Sequence, residues 1–237
     1  MHLKNVFFNP DRYPTRDCYP FDLPVFHRTE PIQFDTPVTL FVGENGTGKS
    51  TLLEAVARKC GIHIWEDDNK PRLDGNPHSR KLTDFLSIQW VNGSVPGSFF
   101  GSSIFQDFVR ILDGWALSDP GQLEYFGGKS LAVQSHGQSI MAFFKSRYRI
   151  KGIYFLDEPE TALSPRTQLE LLDLITAMGR AGHAQFIAAT HSPILLACPG
   201  ATIYSFDQVP IKTLSYEETD HYKLYKNVLE NRGRYLA

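Results

Sequence analysis

Cysteine is scarce in this chain: three in 237 residues, Cys18, Cys60 and Cys198, widely spaced and without a CxxC pair. That excludes a disulfide framework and a zinc knuckle, and it predicts a reduced, cytoplasmic setting. An excess of charge is missing too. Lys and Arg number 24 against 26 Asp and Glu, a formal net charge of -2, so any nucleic-acid footprint must be a local basic patch. No apolar run reaches the roughly 18 residues that a membrane helix needs. The least polar stretch, Phe186 to Phe206, is interrupted by His191, Pro193 and Pro199. The opening MHLKNVFFNPDRYP lacks the sustained apolar segment of a secretory signal, and none is expected. Internal repeats and sustained heptads are absent as well. What remains suits a globular chain: 42% apolar residues and 18 glycines, enough to bury a full core.

Residues 1–40 read as a β-rich entry region. HLKNVFF and PVTLFV have strand character, and the intervening RYPTRDCYPFDLP holds Pro14, Pro20 and Pro24, which oppose a helix. Residues 41–60 form the next unit: the β-branched run Val38 to Val42 stops at Gly43, and a helical pattern follows from Lys49 to Lys59, with Leu52, Leu53, Val56 and Ala57 on one face. Residues 61–81 have the composition of an exposed loop. LSIQW (86–90) has strand character and leads into the Gly/Ser-rich NGSVPGSFFGSS. A small helical segment then spans about 98–148, with Phe105, Phe108 and Leu112 in helical spacing and a second helix from about Ser139 to Tyr148. Residues 149–237 hold the strand IYFL (153–156), a helix over 165–180, the strands FIAAT (186–190) and TIYSF (202–206), and a C-terminal amphipathic helix. This alternation predicts a single α/β domain over 1–237, with a mixed, mostly parallel sheet flanked by helices, an N-terminal β subdomain and a small helical subdomain.

GENGTGKS, Gly43 to Ser50, matches the pattern G-x-x-x-x-G-K-[ST] between a strand and a helix. Gly43, Gly46 and Gly48 permit the dihedrals that turn successive N–H groups inward, making an anion nest at a helix N-terminus, and phosphate is what such a nest holds. The binding set is Gly43, Glu44, Asn45, Gly46, Thr47, Gly48, Lys49, Ser50 and Thr51. Lys49 is placed to reach the β- and γ-phosphates as a point charge, and the Ser50 hydroxyl to ligate Mg²⁺. A Gly-rich turn with an incidental lysine is the alternative, which the flanking strand and helix oppose.

IYFLDEPE (153–160) delivers Asp157 and Glu158 at the C-terminal end of an apolar strand, the edge at which α/β sheets bind ligands. Asp157 suits the Walker B role of holding Mg²⁺, and Glu158 suits a general base that orients the attacking water. Alone, they would read as two surface carboxylates closing a strand. In ATHSP (189–193) His191 ends another apolar strand and so emerges on the same edge, where it can donate to a γ-phosphate and report its presence. A satisfied structural histidine is the other reading.

With Gly43–Ser50, Ile153–Glu158 and His191 in this order, the chain resembles the ABC-type ATPases. QSHGQ (134–138) lies over that family's LSGGQ-like signature, with Ser135, Gly137 and Gln138 matching and Gln134 and His136 departing. DEPETALS continues the match, making Thr161 to Ser164 the D-loop with Ser164 in place of the usual Asp. YPFDLP, FVGENGTGKSTLLEAVA, QSHGQS, DEPETALSP and ATHSPILLACPGA are similar to the small stand-alone AAA-family ATPases of bacteria, relatives of RecF-, OLD- and SMC-like ATPases. The likeness covers nearly the whole chain, 61–81 excluded.

The resemblance implies a P-loop NTPase fold of ABC type that uses ATP and Mg²⁺, with Lys49, Glu158 and His191 as the catalytic set. It implies a head-to-tail homodimer in which Ser135, Gly137 and Gln138 bind the γ-phosphate of ATP held by the other subunit. A Q-loop glutamine should join Ser50 and Asp157 at the metal; Gln106 is preferred and Gln89 competes. An aromatic adenine platform should precede the P-loop, either Tyr19 or Phe21, for each of which core packing is an equal account. The basic KSRYRIK run (Lys145, Arg147, Arg149, Lys151) is either a DNA contact or a solvated face. The C-terminal helix serves either a dimer or partner contact or packing on its own domain. DNA maintenance or defence is the favoured output. The alternatives are the nucleotide-binding subunit of a membrane transporter and a slow regulatory switch controlling an effector protein.

Overall fold

Val38–Val42 and Gly152–Asp157, two predominantly apolar runs, lie inside one sheet covered on both faces. The computed structural model describes residues 1–65, 76–102, 104–119, 121, 123, 124, 130 and 136–235. In chain order the elements are β1 (Leu3–Phe8), the single-turn α1 (Val25–Arg28), β2 (Ile32–Gln33), β3 (Val38–Val42), α2 (Lys49–Lys59), β4 (Leu86–Trp90), β5 (Gly97–Gly101), α3 (Phe105–Ala116), α4 (His136–Arg147), β6 (Gly152–Asp157), α5 (Pro165–Arg180), β7 (Ala184–Ala189), α6 (Pro193–Leu196), β8 (Thr202–Ser205), β9 (Lys212–Leu214) and α7 (Asp220–Glu230).

Among the described residues the main sheet has six strands in the order β5-β6-β7-β3-β8-β9. All of its pairings are parallel except β8 with β9. The expected mostly parallel sheet flanked by helices is what the chain forms. Alternation along each strand sends its side chains to two cores. On one face Leu40, Val42, Tyr154, Leu156 and Phe186 meet α3, α4, α5 and α6. On the other, Phe41, Ile153, Phe155 and Ile187 meet α2 and a three-stranded antiparallel sheet, β2-β1-β4.

Three local expectations are corrected. LSIQW is a strand, but it pairs with β1 in the small sheet rather than joining the main one. The main-sheet strand is β5, within the stretch read as Gly/Ser-rich: Phe99 and Phe100 are buried in opposite cores, and Gly97 lies so close to β6 that a Cβ would collide with the Ile153 carbonyl oxygen. The glycine that makes the stretch look loop-like is the one that close strand approach requires. Residues 61–81 do not begin as an exposed loop, since Ile62 and Ile64 are buried in the core that holds α2 and the small sheet; 66–75 lie outside the described residues. The Pro-rich entry also carries a single helical turn, α1, which starts directly after Pro24.

α4 begins one turn earlier than the periodicity predicts. α5 matches 165–180, with Ser164 as its N-cap: the Ser164 hydroxyl accepts from Thr167 N at 3.3 Å, and Pro165 stands at N1. No helix among the described residues is long and apolar enough to cross a membrane.

Candidate functional site

The strand ends are level. In the register, Phe41 of β3 faces Ala189 of β7, Ala189 faces Asp157 of β6, and Asp157 faces Gly101 of β5. Everything that follows these residues therefore emerges on one C-terminal edge.

The loop after β3 turns on glycines at positive φ, Gly43, Gly46 and Gly48. Gly48 is doubly required. It caps α2 in the left-handed region at φ 99°, and a Cβ there would stand 2.8 Å from the Phe26 ring and 3.0 Å from Leu23 Cδ1. Lys49 is buried, and its Nζ donates to the carbonyl oxygens of Gly43 and Glu44, each at 2.7 Å. Burial lowers the Lys49 pKa against the opposing pull of Glu158, Asp207, Asp157 and Glu44. Asp207, just beyond β8, accepts from Glu44 N at 2.7 Å and so props the loop from outside.

One turn into this arrangement, Ser50 Oγ donates to Asp157 Oδ1 at 2.8 Å. Burial pushes the Asp157 carboxyl up to about 7 despite that hydrogen bond, and the carboxylates of Glu54, Glu158 and Glu160 add to the effect. A desolvated carboxylate beside a hydroxyl is a hard-oxygen donor pair that a divalent cation would stabilise. Among the described residues no group of three or more His, Cys, Asp or Glu side chains is placed to hold a metal. Two such oxygens could hold a divalent cation whose remaining ligands are waters and substrate oxygens.

Glu158 has φ 46°, the one positive value among the described non-glycine residues, and its N–H donates to Ala189 O at 2.9 Å. This strained turn aims the side chain along the edge, 3.8 Å from His191 Nε2. His191 is held from two sides. Its backbone N–H donates to Glu160 Oε1 at 2.6 Å, and its Nδ1 lies 3.0 Å from Nε2 of His221 on α7. Burial, then the Lys49 charge and His221, keep the His191 pKa below its usual value. Ser192 Oγ donates to Gln168 Oε1 at 2.6 Å, while Gln168 Nε2 donates to Leu163 O at 3.0 Å, tying the segment after β7 to the Thr161–Ser164 stretch.

The edge thus brings together Lys49, Ser50, Asp157, Glu158 and His191. Tyr19 also arrives there: its hydroxyl hydrogen-bonds Thr51 Oγ1, and it lines a cavity of about 310 Å³ with Ser50, Glu54, Arg58 and Arg80. Phe21 is fully buried against Tyr13 and Phe85 and serves the core instead. Gln89 lies in the small sheet and accepts from Asn5 Nδ2 at 2.7 Å. The strand that leads toward Asp157 is β5, and Gln106 follows it on the exposed side of the first turn of α3.

Ser135 lies outside the described residues. Gly137 and Gln138 stand at the head of α4, where a Cβ on Gly137 would meet Ala162 O at 3.5 Å. They line an open groove of about 660 Å³ with Lys145, Ala162, Ser164, Thr167 and Glu170. In the basic run Lys145, Arg149 and Lys151 are exposed, but its one aromatic, Tyr148, is fully buried and cannot stack on a base. Sequence reading missed Asp207, Glu160, Gln168 and His221. Asp207 had a signal, an acid closing a strand; His221 had none.

A family model described as "AAA domain, putative AbiEii toxin, Type IV TA system" matches residues 138–197, and one described as "AAA domain" matches residues 24–70. Among solved structures, "a putative metal-chelate type ABC transporter" in an inward-facing conformation aligns with a TM-score of 0.53 at 18% identity, over 95% of this chain and 88% of that one. This chain has the fold of the AAA/ABC-type P-loop ATPases. The SMC head domain from Thermotoga maritima aligns with a TM-score of 0.47 at 15% identity, over 91% of this chain and 99% of that one. No curated protein matches the sequence. The two family matches divide the NTPase site between them: the first half carries the P-loop, the second Asp157, Glu158 and His191.

Proposed function

We propose that this P-loop NTPase binds and hydrolyses ATP in a head-to-tail homodimer acting as a mechanical switch in the cytoplasm. The observation that carries the reading is the Ser50–Asp157 hydrogen bond, 2.8 Å long, at the same sheet edge as Glu158, His191 and the P-loop. The P-loop from Gly43 to Thr51 holds the phosphates through its inward N–H groups, and Lys49 exchanges its two carbonyl partners for phosphate oxygens. Ser50 and Asp157, with Gln106, hold Mg²⁺, which when bound neutralises charge on the transferring phosphoryl group. Glu158 accepts the proton of the attacking water, and His191 donates to the γ-phosphate. Tyr19 lies against the adenine side.

Ser135, Gly137 and Gln138 serve the partner subunit's ATP. The head of α4 opens on its own groove and contacts Ala162 and Leu163, which supports that division of labour. For output we favour DNA maintenance or defence; the toxin–antitoxin description matched by residues 138–197 supports the defence arm. DNA-stimulated turnover would support a DNA role, a co-purifying permease a transporter role, and a co-purifying toxin or nuclease a slow switch on an effector protein.

The test is Glu158→Gln. Turnover should fall roughly 10³-fold while ATP binding persists, and light scattering should show a dimer with Mg-ATP and a monomer without. A monomer under saturating Mg-ATP would sink the dimer.

A further inference from the structure

Resting on the reading of His191 as phosphate sensor, we propose that His221, on the C-terminal helix α7, is a positioning residue that fixes His191 in the tautomer carrying its proton on Nε2.

The two rings meet at one point, His191 Nδ1 to His221 Nε2 at 3.0 Å. One nitrogen must donate and the other accept. If His191 donated, its bare Nε2 lone pair would face the Glu158 carboxylate at 3.8 Å and any phosphate in the P-loop, both negative. If His221 donates, His191 turns an N–H toward those oxygens. Charge decides for the second arrangement. His191 Nε2 and His221 Nδ1 are both buried without a hydrogen-bond partner, so either arrangement leaves one ring N–H unpaired, and only the one on His191 Nε2 faces the anionic groups. Burial and the Lys49 charge hold the His191 pKa below its usual value, which favours the neutral ring in which a tautomer exists to be chosen.

His221 is itself held in place. Thr219 caps α7, accepting from Tyr222 N at 3.3 Å, and Tyr216 OH donates to Pro193 O at 3.0 Å, two residues after His191. The C-terminal segment therefore grips the strand end that bears His191 at two places, through Tyr216 and through His221. No other element supplies a side-chain hydrogen bond to the His191 ring among the described residues.

The test uses the full chain with ¹⁵N-labelled histidine, free of nucleotide, His191 signals being assigned by their loss in His191→Gln. The wild type should show His191 protonated on Nε2 and bare on Nδ1. His221→Phe should move the proton to Nδ1 or mix the two forms, and His221→Gln, whose amide reaches as far as Nε2, should restore the wild-type pattern. In turnover, His221→Phe should lower kcat roughly tenfold with KM unchanged, and His221→Gln should recover most of it. A wild-type proton on Nδ1, a His221→Phe spectrum like wild type, or equal kcat losses in Phe and Gln would each overturn the positioning role. The wild-type reading needs only that His191→Gln folds, which the unchanged signals of its other histidines would show. If the wild type hydrolyses no ATP, the proposed function fails while the ring spectra still decide this question.

Discussion

At the P-loop edge Lys49, Ser50 and His191 are each fixed by hydrogen bonds of 2.6 to 3.0 Å to groups of the same chain. At the head of α4, Gly137 and Gln138 line an open groove, and the helix is held by its far side, where Ile140, Phe143 and Phe144 enter the aromatic core. The first region is fixed by hydrogen bonds within its own chain. The second is organised around the core and merely displays its functional end. The lesson is that one chain carries a P-loop edge fixed by its own hydrogen bonds and a helix head left open, the division that the proposed dimer-shared site would need.

Four substitutions break or sharpen this contrast. Phe144 is fully buried, stacked on Tyr148 at 5.1 Å and edge-on to Phe100 at 4.8 Å. Phe144→Ala should therefore cost about 3–5 kcal/mol in urea unfolding, the largest effect, because the α4 region depends on packing. Lys49→Ala should lower ATP turnover at least about 100-fold with little change in unfolding midpoint; unchanged turnover would refute the site. Gly48→Ala forces a left-handed Cβ against Phe26 and should destabilise by about 1–3 kcal/mol, together with weaker nucleotide binding by calorimetry. Gly137→Ala meets only ordinary contact at Ala162 O, 3.5 Å away. It should change stability by under about 1 kcal/mol yet weaken the ATP-dependent dimer of the Glu158→Gln chain. An undisturbed dimer there would remove α4 from the shared site.

The cradle was legible because it is local. A strand, glycines at fixed offsets, Lys and Ser can be read from eight consecutive letters, and Asp157, Glu158 and His191 from strands that end where apolar runs end. Less legible was whatever depends on partners far along the chain. β5 was hidden by the glycines its tight approach to β6 demands. Ile62 and Ile64 looked like loop because their neighbours are polar, yet the core around α2 buries them. Phe21 and Tyr19 were indistinguishable as letters; packing sent one inward and left the other beside Thr51.

By itself the sequence determined the α/β alternation and the phosphate cradle, since both rest on backbone dihedrals and periodicity that each short segment settles on its own. The tertiary structure alone decided that Asp207 props Glu44, that Gln168 ties Ser192 to Leu163, and that α7 brings His221 to His191. Those contacts join residues whose local surroundings do not require them. They arise only when the sheet register and the two cores have set which side chains stand within 3 Å of one another.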